Sequence, residues 1–209
     1  MSFTNNAKKN TDKIVELNRN DVFSYGNVII KILNPTNQIK NQLRLKQYSI
    51  EHPDFNSESV VMLIEYANKK VLLTGDSTIN NWLEILEKYS DIKSDIVKIS
   101  HHGSKNNNDY ETLANIIKPG GIAIISTDGG VKYPSIPDEN VIHMLKTELN
   151  CNVYLTSELG YSTIPADIDG DLESDDIIDL YSEIISEPSP IGYYKILISD
   201  SGDIQIERG

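Results

Sequence analysis

The sequence predicts an α/β protein whose sheet is covered by helices. Three observations carry that expectation. Strand-length apolar runs alternate with segments whose apolar residues recur at helical spacing. One run, SVVMLIEYA (Ser59 to Ala67), is apolar on both parities, the pattern of a strand buried on both faces. Turn-forming clusters such as NPTN, KPGG and Ser-Gly separate the runs.

The elements follow in order. Residues 1–21 form a polar lead-in. GNVIIKIL (Gly26 to Leu33) predicts a strand stopped by NPTN, and residues 38–58 form a mixed connector containing Pro53. The strand Ser59–Ala67 turns through Asn68-Lys69 into a second strand, KVLLTGD (Lys70 to Asp76). Trp82, Leu83, Leu86 and Tyr89 mark a helix, DIVKIS (Asp95 to Ser100) a strand, and Tyr110, Leu113, Ile116 and Ile117 another helix. GIAIIST is a strand, Val141, Ile142, Leu145 and Leu149 mark a helix, and CNVYLTS is a strand. Residues 166–190 read as an acidic inserted loop and helix. Residues 191–209 form a terminal β-hairpin that turns at Ser-Gly.

Composition narrows the function. The 209 residues fit one domain with an appendage. No apolar run is long enough to span a membrane, and the opening MSFTNNAKKNTDK is polar, without a signal-peptide pattern. One cysteine, Cys151, excludes an internal disulfide and a cysteine-cluster metal site. These features predict a soluble, cytoplasmic protein. The net charge of −12 disfavours broad electrostatic binding to a phosphate backbone, although a metal supplies the local positive charge that lets an acidic enzyme act on phosphates.

The chemistry-bearing residues stand at two strand ends. LLTGD delivers Gly75 and Asp76; KISHHGS delivers His101 and His102, two of only four histidines. Strand ends are where a rigid sheet aims side chains from loops. A carboxylate and an imidazole together suit a divalent metal, and Gly103 permits a sharp turn behind the pair. The plain alternatives are a helix start at Asp76, with Ser77 and Thr78 capping the following helix, and a solvated or internally hydrogen-bonded histidine pair.

NSESVVMLIEYANKKVLLTGD, then DIVKISHHGSKNN, then IKPGGIAIIST resembles metallo-β-lactamase-fold hydrolases of the ComEC competence-protein type, over about residues 22–157. That family reads N-x-x-S before a hydrophobic run, then L-L-T-G-D, then K-h-x-H-H-G-S. The resemblance implies a four-layered αββα sandwich, of which residues 22–165 and the hairpin form the C-terminal half. It implies a site for two zinc (sometimes manganese) ions and hydrolysis of esters, in this branch phosphodiesters of DNA. Asp76 matches the carboxylate that bridges both metals. One of His101 and His102 is then a ligand and the other a proton donor or orienting group beside the substrate; spacing does not say which.

The sequence departs from the family in one large respect: it has no H-x-H-x-D-H, the principal metal signature. Its histidines are His52, His101, His102 and His143, and no H-x-H occurs. The later histidine motif is replaced by VKYPSIP (Val131 to Pro137). His52 reaches the site only by an unusual path through the connector, and His143 lies on a helix flanked by apolar residues. A two-metal site needs roughly three protein ligands per ion, so this chain alone is expected to bind zinc or manganese weakly or not at all. Half a sandwich also exposes an apolar sheet face that a partner covers: another chain, a second copy, or an upstream segment. DIDGDLESDDII lacks the glycine and final glutamate of a calcium loop and reads as a solvated loop, with Ser174 capping the next helix.

Two expectations result. The first is an incomplete metal-dependent hydrolase, completed by an H-x-H-x-D-H-bearing partner or segment and acting on a nucleic-acid phosphodiester or another ester. The alternative is a non-catalytic module with the same fold and no metal, whose acidic insert contacts a partner.

Overall fold

A computed structural model describes residues 16–46, 55–128, 134–157 and 193–208. The sheet has seven strands whose order in space is their order in sequence. β1 (Val22–Tyr25), β2 (Val28–Asn34), β3 (Val61–Tyr66) and β4 (Lys69–Leu73) pair antiparallel, with tight turns joining β1 to β2 and β3 to β4 and a long connection joining β2 to β3. β5 (Ser94–Lys98), β6 (Ile117–Ile125) and β7 (Asn152–Leu155) then add parallel to β4 and to each other.

The crossovers between the parallel strands carry the helices. α1 (Asn37–Lys46) lies earlier, after β2; α2 (Ile79–Lys88), α3 (Tyr110–Ile116) and α4 (Glu139–His143) connect β4 to β7 in turn. Parallel crossovers are right-handed almost without exception. When each new strand is added on the same side, that rule puts every crossover helix on one face of the sheet. The core agrees: Trp82 and Ile85 of α2, Leu113 and Ile116 of α3, and Val141 of α4 form one buried cluster with Leu63, Leu72, Val97 and Ala123.

Local chemistry fixes the helix starts. Thr78 accepts from the Asn81 amide while the Asn81 side chain takes the Thr78 amide, a reciprocal cap. Asp109 accepts from Thr112 N at 2.7 Å at the start of α3, and Asp138 from Asn140 N at 2.9 Å at the start of α4. Ser77 is not a cap; its hydroxyl donates back to Thr74 O at 2.7 Å. α4 continues into a wider turn over Met144–Glu148, closed by Leu149 N to Met144 O at 2.9 Å.

The opposite sheet face carries Met62, Ile64, Val71, Leu73, Ile122 and Ile124, which are half-buried, around Ile32 and Ile96, which are fully buried. The terminal hairpin, β8 (Tyr194–Ile198) with β9 (Ile204–Arg208), touches this face. The Tyr194 ring meets Tyr154 edge-on at 5.3 Å, and Tyr66 donates its hydroxyl to Asp200. Tyr194, Ile196, Ile198, Ile204 and Ile206 are half-buried and alternate with exposed Lys195, Leu197, Gln205 and Glu207, so the hairpin has one packed side.

Several expectations change. The connector carries helix: residues 37–46 form α1, whose first turn is capped by the Thr36 hydroxyl accepting from Ile39 N at 3.1 Å, and Phe55–Glu58 form a tight helical turn. The end of the polar lead-in is tied down, with Arg19 Nε donating to Leu33 O at 2.7 Å and Lys40 Nζ to Leu17 O at 2.6 Å. The β3–β4 turn falls on Ala67-Asn68, both at positive φ (49° and 60°), one residue earlier than expected. In α2 the buried face is Trp82 and Ile85, while Leu83 is exposed. His52, the calcium-like stretch and the acidic insert at 166–190 lie outside the described residues. Among the described residues, no helix is long and apolar enough to cross a membrane.

Candidate functional site

β4, β5, β6 and β7 are parallel neighbours, so their C-terminal ends share one edge of the sheet. Gly75 and Asp76 follow β4, His101 and His102 follow β5, Ser126 to Asp128 follow β6, and Thr156 follows β7. A cavity of about 610 Å³ opens at this edge, lined by His101, His102, Ser126, Asp128, Ile136 and Thr156 among others. Such edges are where ligands of α/β sheets bind.

The turn after β5 is backbone-strained. His101 (φ 43°), His102 (φ 54°) and Gly103 (φ 82°) are consecutive left-handed residues. For a residue with a Cβ this conformation costs roughly 1–2 kcal/mol, and it persists only where the surroundings over-determine it. Gly103 is required twice over: a Cβ there would lie 2.8 Å from Pro137 Cβ. Around the turn, Asn108 Nδ2 donates to Ser100 O at 2.9 Å and Ser104 O at 2.7 Å, and Trp82 Nε1 to Ser100 Oγ at 3.3 Å.

The turn after β4 lies against it. His101 N donates to Gly75 O at 3.1 Å. Lys98 Nζ donates to Gly75 O at 3.2 Å and to Ile99 O at 3.3 Å, and Thr74 Oγ1 to Lys98 O at 2.6 Å. Burial lowers the Lys98 ammonium from its ordinary range, while the charge of Asp76 opposes that shift. The Asp76 amide donates to Ser59 Oγ at 3.0 Å.

The N-x-x-S stretch, Asn56 to Ser59, therefore belongs to this site. It is held by Asn34 Nδ2, which donates to Ser57 O at 3.0 Å and Ser59 O at 2.8 Å, and by Asn81 Nδ2, which donates to Ser57 O at 3.1 Å. Asn34 is fully buried.

The two histidines differ. His102 is exposed and its Nδ1 lies 2.8 Å from Ser126 O, with Ser126 Oγ at 3.1 Å. A carbonyl oxygen only accepts, so Nδ1 carries the proton and Nε2 holds the free lone pair. This is the arrangement of a histidine prepared to bind a metal or accept a proton. His101 is half-buried, and its ring stands edge-on to His102 at 6.2 Å. The sequence did not mark the residue that bridges the two turns, Asn107, which is 5 % exposed. Nothing in the asparagine run NNN distinguishes it.

The chain thus brings Asp76 and the histidine doublet together as neighbouring turns. Among the described residues, no three His, Cys, Asp or Glu side chains are arranged to hold an ion, and His143 sits on α4, its Nδ1 3.4 Å from Thr147 Oγ1. The donor set of the described residues alone does not fit a two-metal site.

The fold and the strand-end cavity define a mixed α/β protein with a seven-stranded sheet. No family model matches the chain. Its sequence is similar to ComE operon protein 3 of Bacillus subtilis (strain 168), 31% identical over 112 residues, which is 52% of this chain and 14% of that protein. The aligned stretch is thus a small part of that relative.

Proposed function

We propose that this chain is the second half of a metallo-β-lactamase-type αββα hydrolase domain of the ComEC kind. It contributes Asp76 and the His101–His102 pair to a composite site for hydrolysis of a nucleic-acid phosphodiester or another ester. An H-x-H-x-D-H-bearing partner or segment supplies the remaining ligands, and zinc or manganese binds the combined set. The ComE-operon similarity supports this reading, as does the order of the motifs along the chain.

One observation carries it: the turns bearing Asp76 and the two histidines are joined by His101 N to Gly75 O at 3.1 Å, beside an open cavity. Within that site the chain's own groups have definite tasks. His102, protonated at Nδ1 by its bond to Ser126 O, offers Nε2 to take or give a proton at a substrate oxygen. The strained turn and the Ser59–Asp76 bond hold these groups in place before substrate arrives. The half-buried apolar face opposite the helices, with the hairpin over part of it, is the surface on which the completing half packs.

The test is to purify the chain alone and co-expressed with an H-x-H-x-D-H-bearing segment. Bound metal and hydrolysis of a linear DNA and of an activated phosphodiester are then measured. The expected result is metal and activity only in the assembly, both lost in Asp76→Ala. Undiminished hydrolysis in the Asp76→Ala assembly overturns the proposal.

A further inference from the structure

We propose that Asn107 is the positioning residue of the site: its one amide locks the two turns together and sets the tautomer of His101. The geometry leaves little freedom. Asn107 Nδ2 donates to Asp76 O at 3.2 Å and to Ser77 O at 3.0 Å. Both partners are carbonyl oxygens, which only accept, so the amide nitrogen must face the β4 turn. The amide oxygen then faces the other way, where His101 Nδ1 lies at 3.1 Å. An amide oxygen also only accepts. His101 therefore carries its proton on Nδ1 and keeps the lone pair on Nε2, the same state that Ser126 O imposes on His102.

The site thus holds two imidazoles in one tautomer by two different devices, a buried side chain and a strand-end carbonyl. The competing contact is Asn56 Nδ2, 3.5 Å from the same His101 Nδ1. Donation from Asn56 would need a bare Nδ1 and would place the proton on Nε2. The shorter bond, from a nearly buried asparagine whose orientation is fixed at its other end, governs.

A buried amide with both of its donor hydrogens and its acceptor engaged is costly to replace, yet its two ends do separate jobs. The nitrogen end closes the β4 turn on the β5 turn, and the oxygen end prepares the ring. As a statement about function, this rests on the proposed hydrolase reading, because only a site that uses His101 needs the ring prepared. The tautomer itself is measured without substrate, metal or partner.

The experiment is two-bond ¹H–¹⁵N correlation of the imidazole nitrogens in the full chain at pH about 8.5, well above the ordinary imidazole range. Signals are assigned by their loss in His101→Gln and His102→Gln. Wild type is expected to show Nδ1–H for both rings. Asn107→Asp keeps an oxygen for Nδ1–H but loses both donors. It should retain the His101 tautomer while exchange of the His101 amide, bonded to Gly75 O, accelerates at least tenfold. Asn107→Leu loses both ends, and His101 should then show a mixture with Nε2–H while His102 stays unchanged as the internal control.

A wild-type His101 in the Nε2–H form overturns the proposal, as does an unmixed Nδ1–H signal in Asn107→Leu. If Asn107→Leu does not fold, the wild-type spectrum and Asn107→Asp decide. Failure of the hydrolase reading would show as an inactive assembly with these spectra intact, so the two outcomes separate.

Discussion

The main-chain amide of His101 bonds the carbonyl oxygen of Gly75 over 3.1 Å, so the turns that end β4 and β5 move as one piece. The order of that piece depends on its backbone more than on its charged groups, which gives the following expectations.

Gly103→Ala should destabilise the chain by about 2–4 kcal/mol. The substitution adds left-handed strain at φ 82° and drives a Cβ to 2.8 Å from Pro137 Cβ. Urea unfolding followed by far-UV circular dichroism measures it. A loss below about 1 kcal/mol would mean that the turn yields without cost.

Asp76→Ala should leave the fold nearly intact, with a change of less than about 1 kcal/mol. Both contacts that seat the residue use its main chain, the amide to Ser59 Oγ and the carbonyl oxygen from Asn107 Nδ2. The same variant should abolish hydrolysis in the completed assembly. A large drop in thermal midpoint would assign the carboxylate a structural task instead.

Much of the sheet was legible because continuous apolar runs such as Val60 to Ile64 have few other uses in a chain of this size. The terminal hairpin was legible from alternation around Ser-Gly. β1 was not legible: its residues are mostly exposed, so no apolar pattern marks it, and pairing with β2 makes it a strand. α1 was hidden because its residues are largely polar and its cap lies in Thr36, just after a proline. At the site, the side chains with chemistry were visible in LLTGD and HHGS. Asn34, Asn81 and Asn107, which hold the turns, were not, because asparagine carries the same letter whether its amide is solvated or buried.

Asp95 should make stability fall in acid. Burial by itself would raise this carboxyl. Hydrogen bonds from Lys118 and the Lys70 amide, with the charges of Lys118 and Lys69, outweigh that and hold it below the ordinary value of 3.8. A carboxyl depressed in the folded state contributes stability that is full above the unfolded value and is lost as pH falls through the folded one. The wild-type chain should therefore lose more stability than Asp95→Asn between about pH 5 and pH 2. Parallel stability–pH curves for the two would refute this.

Trp82 is the sole tryptophan and is fully buried, so its fluorescence reports the core directly. Trp82→Ala should cost about 3–5 kcal/mol. Ser100→Ala, which removes the partner of Nε1 at 3.3 Å, should cost about 1–2 kcal/mol and shift the native emission. An unchanged emission maximum in Ser100→Ala would show that the indole N–H does not depend on that hydroxyl.

Tyr66→Phe should loosen the hairpin and nothing else. Its hydroxyl donates to Asp200, which lies in the turn between β8 and β9. Amide hydrogen exchange in residues 194–208 should quicken, while β3 to β6 keep their protection. Equal acceleration everywhere would make the hairpin part of one cooperative unit.

Because the seven strands stand side by side in the order they are synthesised, the sheet grows from one margin without waiting for distant sequence. Each arrival from β2 to β7 finds its neighbour already in place, so every pairing joins strands that are consecutive in sequence. The hairpin contacts break this pattern, since they reach back from residues 194 and 200 to Tyr154 and Tyr66. The hairpin is therefore expected to settle on a sheet that is already formed.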